Sequence, residues 1–327
     1  MTRTSAAVGG IAVVIPSYNR KHLVLEALNS VTSQVLLPDR VILVDDGSND
    51  GTQQAVSHWS KSNEPPFELV YIYQQNAGPG AARNLGIESA KDCEWVAFLD
   101  SDDLWHKEHL CKLTEAVLKQ PDAIAASNEL EEKYYSTNGS LISSRAYVFP
   151  EKLLSGCITG PDALRITGPL TPATMIRRDA LLKAGGFNTR LKYSEDKLLF
   201  LIVSTMGPWC RVAGFPVIYR NFVRNDQARL SGTKQLSDKP HQSSRIYYAR
   251  LLDNAIGHFA YSNNKYHIGV RWALWKAWYR AGRHLEKTKH YKLAVYYYQK
   301  AAGYRLFSKA IPRMCIAKLK SLYLRLF

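Results

Sequence analysis

The sequence predicts an α/β protein: a mostly parallel sheet with helices on both faces, followed by an appendage made only of helices. Three observations carry this expectation. Short, continuous apolar runs rich in β-branched residues recur through the N-terminal third. Amphipathic or glycine-led stretches of helical character separate them. Past about residue 240 the apolar runs give way to a basic segment dominated by Leu, Ala, Lys, Arg and Tyr. Strands alternating with helices over short connections form parallel sheets covered on both sides.

The elements follow in order. Ile11-Ala-Val-Val-Ile15 reads as a strand buried on both faces. Val24, Ala27, Leu28 and Val31 recur at i, i+3, i+4, i+7, one face of a helix whose end Pro38 marks. Val41-Ile-Leu-Val44 is a second buried strand, and the polar stretch through Trp59 holds a second helix. Leu69-Val-Tyr-Ile-Tyr73 is a third strand, Ala81–Ala90 a third helix, and Trp95-Val-Ala-Phe-Leu99 a fourth strand. A further helix is expected near Leu104.

At 327 residues the chain is long enough for about two domains. Its 46% hydrophobic and 22% charged residues exclude extended disorder. No stretch approaches the ~20 apolar residues of a membrane-spanning helix. The apolar run Ala6–Ile15 behind Arg3 reads as the lead into the first strand rather than as a secretion signal. The formal charge is +15, and residues 241–327 carry all of it, with 17 Lys+Arg against Asp253 and Glu286. Residues 1–240 hold 26 basic and 26 acidic residues. That asymmetry divides the chain into a balanced domain, 1–240, and a basic helical module, 241–327, which faces an anionic surface or serves solubility. Cys93, Cys111, Cys157, Cys210 and Cys315 are scattered, so free thiols in a reducing, cytoplasmic compartment are expected.

Ligands of parallel sheets bind at the carboxyl ends of the strands. Three strand ends here are polar: Pro16-Ser17-Tyr18-Asn19-Arg20, Asp45-Asp46-Gly47-Ser48 and Asp100-Ser101-Asp102-Asp103. The last sets three carboxylates within four residues, an arrangement suited to Mg²⁺ or Mn²⁺ with substrate phosphates, or to a turn that caps the next helix. At Asp45-Asp46 a carboxylate could accept from a base imide or a ribose hydroxyl, or could serve a turn. Tyr18 could stack on a base or pack at the strand end. Asn76-Ala-Gly-Pro-Gly-Ala-Ala-Arg-Asn-Leu-Gly86 is a glycine-rich entry into a helix, with Arg83 placed to meet a phosphate or an acidic cluster. No P-loop and no Gly-x-Gly-x-x-Gly follows the first strand, which disfavours nucleotide-hydrolysing and dinucleotide-binding domains.

Together these stretches resemble the family 2 glycosyltransferases of GT-A fold. The matching segments are Val14–Arg20, Val41–Asp50, Asn76–Gly86, Phe98–Trp105, and Gly185-Gly-Phe187 followed by Ser194-Glu-Asp196, in order across about residues 10–235. The resemblance implies an inverting transfer of sugar from a nucleotide-sugar donor to a glycan or lipid-linked acceptor. It implies that Pro16, Tyr18, Asp46 and nearby Asp45 line the base pocket. Asp100-Ser101-Asp102 matches the family's Asp-x-Asp motif, so Asp102 would be the main contact of a divalent cation, Mn²⁺ or Mg²⁺, with Asp100 close to ribose or metal and Arg83 beside it. Asp196 matches the general base and Glu195 its neighbour, although local sequence alone reads the pair as a solvated helix start. Relatives often carry an aromatic residue and another acid after this pair; here Lys197, Leu198 and Leu199 follow. Arg224–Ser231 suits a loop over the diphosphate, and the missing Gln-x-x-Arg-Trp motif favours single-sugar transfer over polymer synthesis. A nucleotidyltransferase lacks support, because its glycine- and Arg/Lys-rich N-terminal loop is absent. A catalytically inactive scaffold would have lost the acids that are present here.

In the basic module Trp272, Trp275 and Trp278 form an aromatic stripe for packing between helices. Tyr291-x-x-Ala294-x-x-x-Tyr298-x-Lys300-Ala301 resembles half of a tetratricopeptide repeat, and Tyr266-x-x-Gly269-x-x-x-Ala273 echoes it at the wrong period, so a helical hairpin is expected. After Pro312, the residues Cys315, Ile316, Leu319, Leu322, Tyr323, Leu326 and Phe327 share one helical face flanked by Arg313, Lys318, Lys320 and Arg325, with Leu324 opposite. Such a helix can lie on an anionic membrane as a peripheral anchor at its inner face, or pack on the preceding helices. No nucleic-acid-binding module is recognised.

Overall fold

A computed structural model describes residues 8–149, 157–159, 170–191, 195–222, 249–250, 267–304 and 310–326. Arg224–Ser231, Ser194, Tyr266 and Phe327 lie outside them, as do the side chains of Trp272, Leu319, Leu322, Tyr323 and Leu326. The chain divides into two compact units, Met1–Thr159 with Ile166–Thr189 and Glu195–Ala228, and Gly160–Arg165 with Arg190–Ser194 and Arg229–Phe327.

The first unit is a mixed sheet of GT-A type flanked by helices. Its N-terminal part is parallel: β1 (Ile11–Ser17) lies between β2 (Arg40–Asp45) and β4 (Trp95–Phe98), and β3 (Glu68–Tyr73) lies outside β2. Every residue of β1 is buried, as the unbroken apolar run requires. The intervening helices are α1 (Lys21–Thr32), α2 (Thr52–Asn63) and α3 (Pro79–Ser89). The expected stripe of α1 is buried, but the helix stops at Thr32, six residues before Pro38. On the other side of β4 the order continues β9 (Thr174–Arg177), β6 (Ala125–Tyr135), β10 (Pro208–Phe222) and β5 (Leu104–Trp105), with β7 (Leu141–Tyr147) on β6 and β8 (Cys157–Thr159) on β10.

The strand order turns at β1, so the carboxyl ends of β1 and β4 diverge from a crevice there. Register sets Ser17 opposite Asp45 and Asp45 opposite Tyr73 at one level. Ile11, Val13 and Ile15 face a core shared with α1 and with Leu110, Leu113 and Val117 of α4 (His109–Lys119). On the opposite face α3 lies against β1. A Cβ on Gly86 would come 2.3 Å from Val14 Cγ1, so only glycine permits this approach. The short α5 (Arg178–Lys183) and then α6 (Glu195–Ser204) complete that layer.

Two expectations need correction here. No helix starts near Leu104. Leu104-Trp105 pairs instead with Val217 and Ile218, and α4 begins at His109, so the Asp-rich turn caps no helix. The cysteines are not all free either. Cys210 is disulfide-bonded, and the register of β8 on β10 sets Cys157 opposite it, while Cys93, Cys111 and Cys315 are outside any disulfide. The argument for a reducing compartment loses that support.

The second unit holds α7 (His267–Lys287), α8 (Tyr291–Tyr304) and α9 (Ala310–Leu326). Trp278 is buried with its ring 5.0 Å from Tyr297, as the packing reading of the stripe expects, while Trp275 stacks on Tyr279 of its own helix. A Cβ on Gly282 would lie 2.8 Å from the Tyr298 ring, so α7 and α8 meet closely. Glu286 accepts from Tyr298 at 2.8 Å, Lys320 at 3.2 Å and Arg313 at 3.4 Å. The inward face of α9 is therefore Ala310, Arg313, Ala317 and Lys320. Ile311, Cys315 and Ile316 are exposed, as are Lys318 and Lys320.

Candidate active site

The β2 end is closed by its own hydrogen bonds. Asp45 is buried, and accepts from Ser48 N at 2.8 Å and from the Tyr71 hydroxyl. Burial and this carboxylate push the Tyr71 hydroxyl pKa upward. Asp46, also buried, accepts from Gln74 Nε2 at 2.6 Å and from the amides of Ala77 and Gly78 at 2.8 Å each. Asp46 thus holds the glycine-rich entry to α3 in place. Gly47, at φ +86°, fits beneath it, because a Cβ there would strike Asn76 N at 2.9 Å. Asn19, at φ +50°, crosses from the β1 end: its amide donates to Ser48 Oγ at 2.9 Å and its Oδ1 accepts from Asn49 N at 2.9 Å. Beside this end lies a groove of about 580 Å³ lined by Lys21, Asp45, Ser48, Thr52 and Tyr73. Pro16 is buried within β1, and Tyr18 stands 44% exposed at the strand's mouth.

The β4 end is differently built. Arg83, one turn into α3 and 6% exposed, reaches Asp100 Oδ1 at 2.6 Å and Glu195 Oε1 at 3.3 Å. Burial works against its charge, but Asp100, with Glu195 and Asp196 behind it, holds the guanidinium more firmly protonated than usual. Its plane sits over Phe187, 5.3 Å from the ring centroid. Phe187 is fixed by Asn84, which accepts from its amide at 2.7 Å and donates to its carbonyl at 2.8 Å. Gly186 is required there, at φ +68° with Asn84 Oδ1 2.6 Å from any Cβ. Glu195 and Asp196 both lie in the first turn of α6, where the helix dipole favours acids. Burial raises the Glu195 carboxyl above its ordinary range, Asp196 adds to this, and Arg83 opposes it.

Ser101 is buried in the turn, and Asp103 N donates to Asp100 O at 3.0 Å. Asp102 is about one-third exposed, and its nearest cation is Arg20 Nε at 3.7 Å. Burial, then the charge of Asp100, raises its carboxyl pKa. Asp103 is fully buried. Its Oδ1 accepts from Arg220 N at 2.8 Å, its Oδ2 has no partner, and burial with Asp102 and Asp100 pushes its pKa well up. Arg220 clamps the turn from β10, donating to Asp102 O at 2.5 Å and pairing with Glu26 of α1.

Among the described residues no three His, Cys, Asp or Glu side chains form a metal-ligand set on their own. A hard divalent cation needs no such set: one or two carboxylates plus phosphate and water oxygens suffice for Mg²⁺. Asp102 fits that role, being a partly exposed carboxylate whose ion pair with Arg20 is long, at 3.7 Å.

The structure therefore gathers Arg83, Asp100, Ser101, Asp102, Glu195 and Asp196 at the β4 end, and Asp45 and Asp46 at the β2 end, on the other side of β1. Sequence reasoning missed the groups that hold them: Arg20, Gln74, Asn84 and Arg220. Arg20 and Asn84 stand inside conspicuous segments and could have been asked for a role. Arg220 had no signal, since it arrives from a strand more than a hundred residues away.

Comparison with known proteins follows the same lines. The pattern described as glycosyl transferase family 2 matches residues 12–182. An uncharacterized glycosyltransferase of Rickettsia conorii is 28% identical over 205 residues, which are 60% of this chain and 30% of that protein, so the chain spans under a third of that relative. TuaG of Bacillus subtilis, named for teichuronic acid biosynthesis, is 36% identical over 115 residues, 35% of this chain and 44% of that protein. Among solved structures, S. aureus TarS 1–349 superposes with a TM-score of 0.66 at 18% identity, covering 95% of this chain and 87% of that one. Its complex with UDP-GlcNAc gives 0.59 at 19% identity, with coverages of 97% and 92%. The mannosyltransferase PcManGT of Pyrobaculum calidifontis, with GDP-Man and Mn²⁺, gives 0.51 at 18% identity, with coverages of 96% and 87%. These structures share the fold, and the sequence match over more than half its length settles the affiliation: the chain belongs to glycosyl transferase family 2.

Proposed function

We propose that this chain transfers a single sugar, with inversion, from a nucleotide-diphosphate sugar to an acceptor hydroxyl on a glycan or lipid-linked glycan. We assign the catalytic domain to residues 1–240. The observation that carries the reading is the Arg83 bridge: one buried guanidinium joins Asp100 of the Asp-Ser-Asp turn to Glu195 of the Glu-Asp pair, which lies 112 residues beyond Arg83. That contact makes one site of two acidic segments with separate tasks.

Inverting transfer is a direct displacement at the anomeric carbon. It needs a base on the acceptor hydroxyl and compensation of charge on the departing diphosphate. In this reading Asp196 takes the hydroxyl proton. Glu195, fixed by Arg83, keeps Asp196 in position at the start of α6. A divalent cation held by Asp102 would act as a Lewis acid and template for the diphosphate. Tyr18 and the groove beside Asp45 offer the base and ribose a place, and Asp46 acts on them through the loop it holds. The Mn²⁺ and nucleotide-sugar complexes of the structural neighbours support the donor class and the cation. The relatives' part in polysaccharide biosynthesis supports a glycan acceptor.

A nucleotide-sugar panel tests this directly. Metal-dependent release of nucleotide diphosphate from one donor is expected, faster with acceptor. Turnover undiminished in excess chelator would remove the cation from the scheme, and no turnover of any donor would remove the reading itself.

The basic module, residues 241–327, has a second role in this reading: peripheral attachment to an anionic membrane. The exposed Ile311, Cys315 and Ile316 beside exposed Lys318 support it. No described helix is long and apolar enough to cross a membrane. Co-sedimentation with anionic vesicles that salt reverses, and that deletion of residues 312–327 abolishes, is the expected result. Equal sedimentation of both forms would exclude it.

A further inference from the structure

Arg211 of β10 is a buried cation without an anion. It is 6% exposed, its guanidinium lies over the Phe149 ring at 4.6 Å, and its NH1 donates to Ser127 Oγ at 3.1 Å. Its Nε–H is buried with no acceptor, and among the described residues no carboxylate pairs with it. Glu129, two residues along β6, is already engaged: its oxygens accept from Phe149 N and from Gly214 N. Buried guanidinium groups are ordinarily paired, because a desolvated charge without a counter-charge is costly.

Ser127 repeats the imbalance. Its side chain is fully buried, and its Oγ accepts from both Trp209 Nε1 at 2.8 Å and Arg211 NH1 at 3.1 Å. Both lone pairs are thereby occupied, so the hydroxyl proton can only be donated. No described group accepts it. Two unspent donors, one charged, stand on adjacent strands at paired positions.

Register locates them. Val96 pairs with Ile176, Ile176 with Ala125 and Ala125 with Trp209, so Ser127 and Arg211 share a face with Phe98 and stand at its level, two residues short of Asp100. Along the order β4-β9-β6-β10, at roughly 4.8 Å per strand, Arg211 lies about 14 Å from β4. Asp102 itself is met by Arg220, which pairs with Lys133, six residues along β6 from Ser127, so at about 3.3 Å per residue Arg211 lies roughly 20 Å from a diphosphate held there. It suits a group carried elsewhere on the acceptor.

We propose that Arg211 and Ser127 form an acceptor subsite for an oxyanion, a phosphate or a sugar carboxylate. Its biological use rests on the glycosyl-transfer reading above, but its binding does not. Planar guanidinium donors match either group.

The test uses the full chain with ¹⁵N-labelled arginine, and two probes, inorganic phosphate and glucuronate. Arg211→Met identifies the Arg211 Nε–H signal by its loss. A saturable shift of that signal with phosphate identifies a phosphate-bearing acceptor; a shift with glucuronate identifies a uronic acid. The effective probe should also raise the melting midpoint of the wild type and leave that of Arg211→Met unmoved. Arg211→Met alone should melt no lower than wild type, because an unpaired buried charge has been removed. No shift with either probe overturns the proposal. So does an Arg211→Met protein that melts well below wild type, which would make Arg211 a structural residue held by Phe149 and Ser127. Donor turnover is not part of the readout, so failure here leaves the catalytic reading standing, and the reverse also holds.

Discussion

Two acidic strand ends flank β1 in this sheet, and they have opposite economies of hydrogen bonding. At the β2 end, Asp45 and Asp46 collect five donors from Ser48, Tyr71, Gln74, Ala77 and Gly78. At the β4 end, Asp102 has only a distant Arg20, and Asp103 keeps one oxygen without a partner. The same residue type after the same kind of apolar strand is consumed by the fold in one case and left available in the other. An Asp pair after a buried strand says where a site is. The donors around it say whether the carboxylates bind something else.

The sharpest test of that contrast is Asp102→Asn. Transfer should fall on the order of 10⁴-fold, equivalent to several kcal/mol of lost charge stabilisation, with the fold intact by circular dichroism. Near-normal turnover would place the cation elsewhere. Asp196→Asn should cost on the order of 10³-fold in transfer, the usual scale of a general base, with little change in donor affinity. A collapse of donor affinity instead would make Asp196 a donor ligand. Asp46→Ala inverts the pattern. It removes the acceptor of the Gln74 side chain and of the Ala77 and Gly78 amides, and should cost about 2 kcal/mol in urea unfolding, with activity lost only as a consequence. If stability is unchanged, Asp46 is not the loop's anchor.

The smallest expected effect concerns pH. Asp102 and Asp103 have folded pKa values raised above the ordinary 3.8, so the folded state holds protons that the unfolded chain releases. Their contribution to stability therefore declines as pH rises from near 3.8 toward their folded values. Asp102→Asn should melt slightly higher than wild type at pH 7 and no higher near pH 3, where the wild-type carboxyl is already protonated. A gain that persists at low pH would trace to something other than this charge.

How much of this was legible in sequence depends on how local the signal was. β1, β2 and β4 announce themselves because strands buried on both faces must be apolar throughout, and α1 because its stripe repeats with helical period. The strand ends were legible for the same reason: a carboxylate immediately after such a run has only the sheet's edge to occupy. The misreadings involve partners distant in sequence. Leu104-Trp105 joins the sheet only because Val217 and Ile218 are there to receive it, and Cys210 finds its disulfide through strand pairing that no spacing rule encodes. The pairing of Arg313 and Lys320 with Glu286 was equally out of reach, because Glu286 stands on another helix. Arg211 was invisible altogether, since its interest lies in what it lacks.

The Arg83 bridge also bears on how the chain folds. Asp100 and its turn belong to a segment whose strands pair with near neighbours, whereas Glu195 must close a loop of more than a hundred residues before Arg83 can hold both. Contacts of such sequence separation form late, because the entropy of closing the loop must be met before the contact rewards it. During synthesis, the N-terminal sheet can leave the ribosome complete while the acid pair is still untranslated. Until α6 docks, Arg83 neutralises Asp100 alone, and the nascent chain has half of the candidate site, without Glu195 and Asp196. Refolding should show the same delay, with helical and sheet signals recovering before the first turnover.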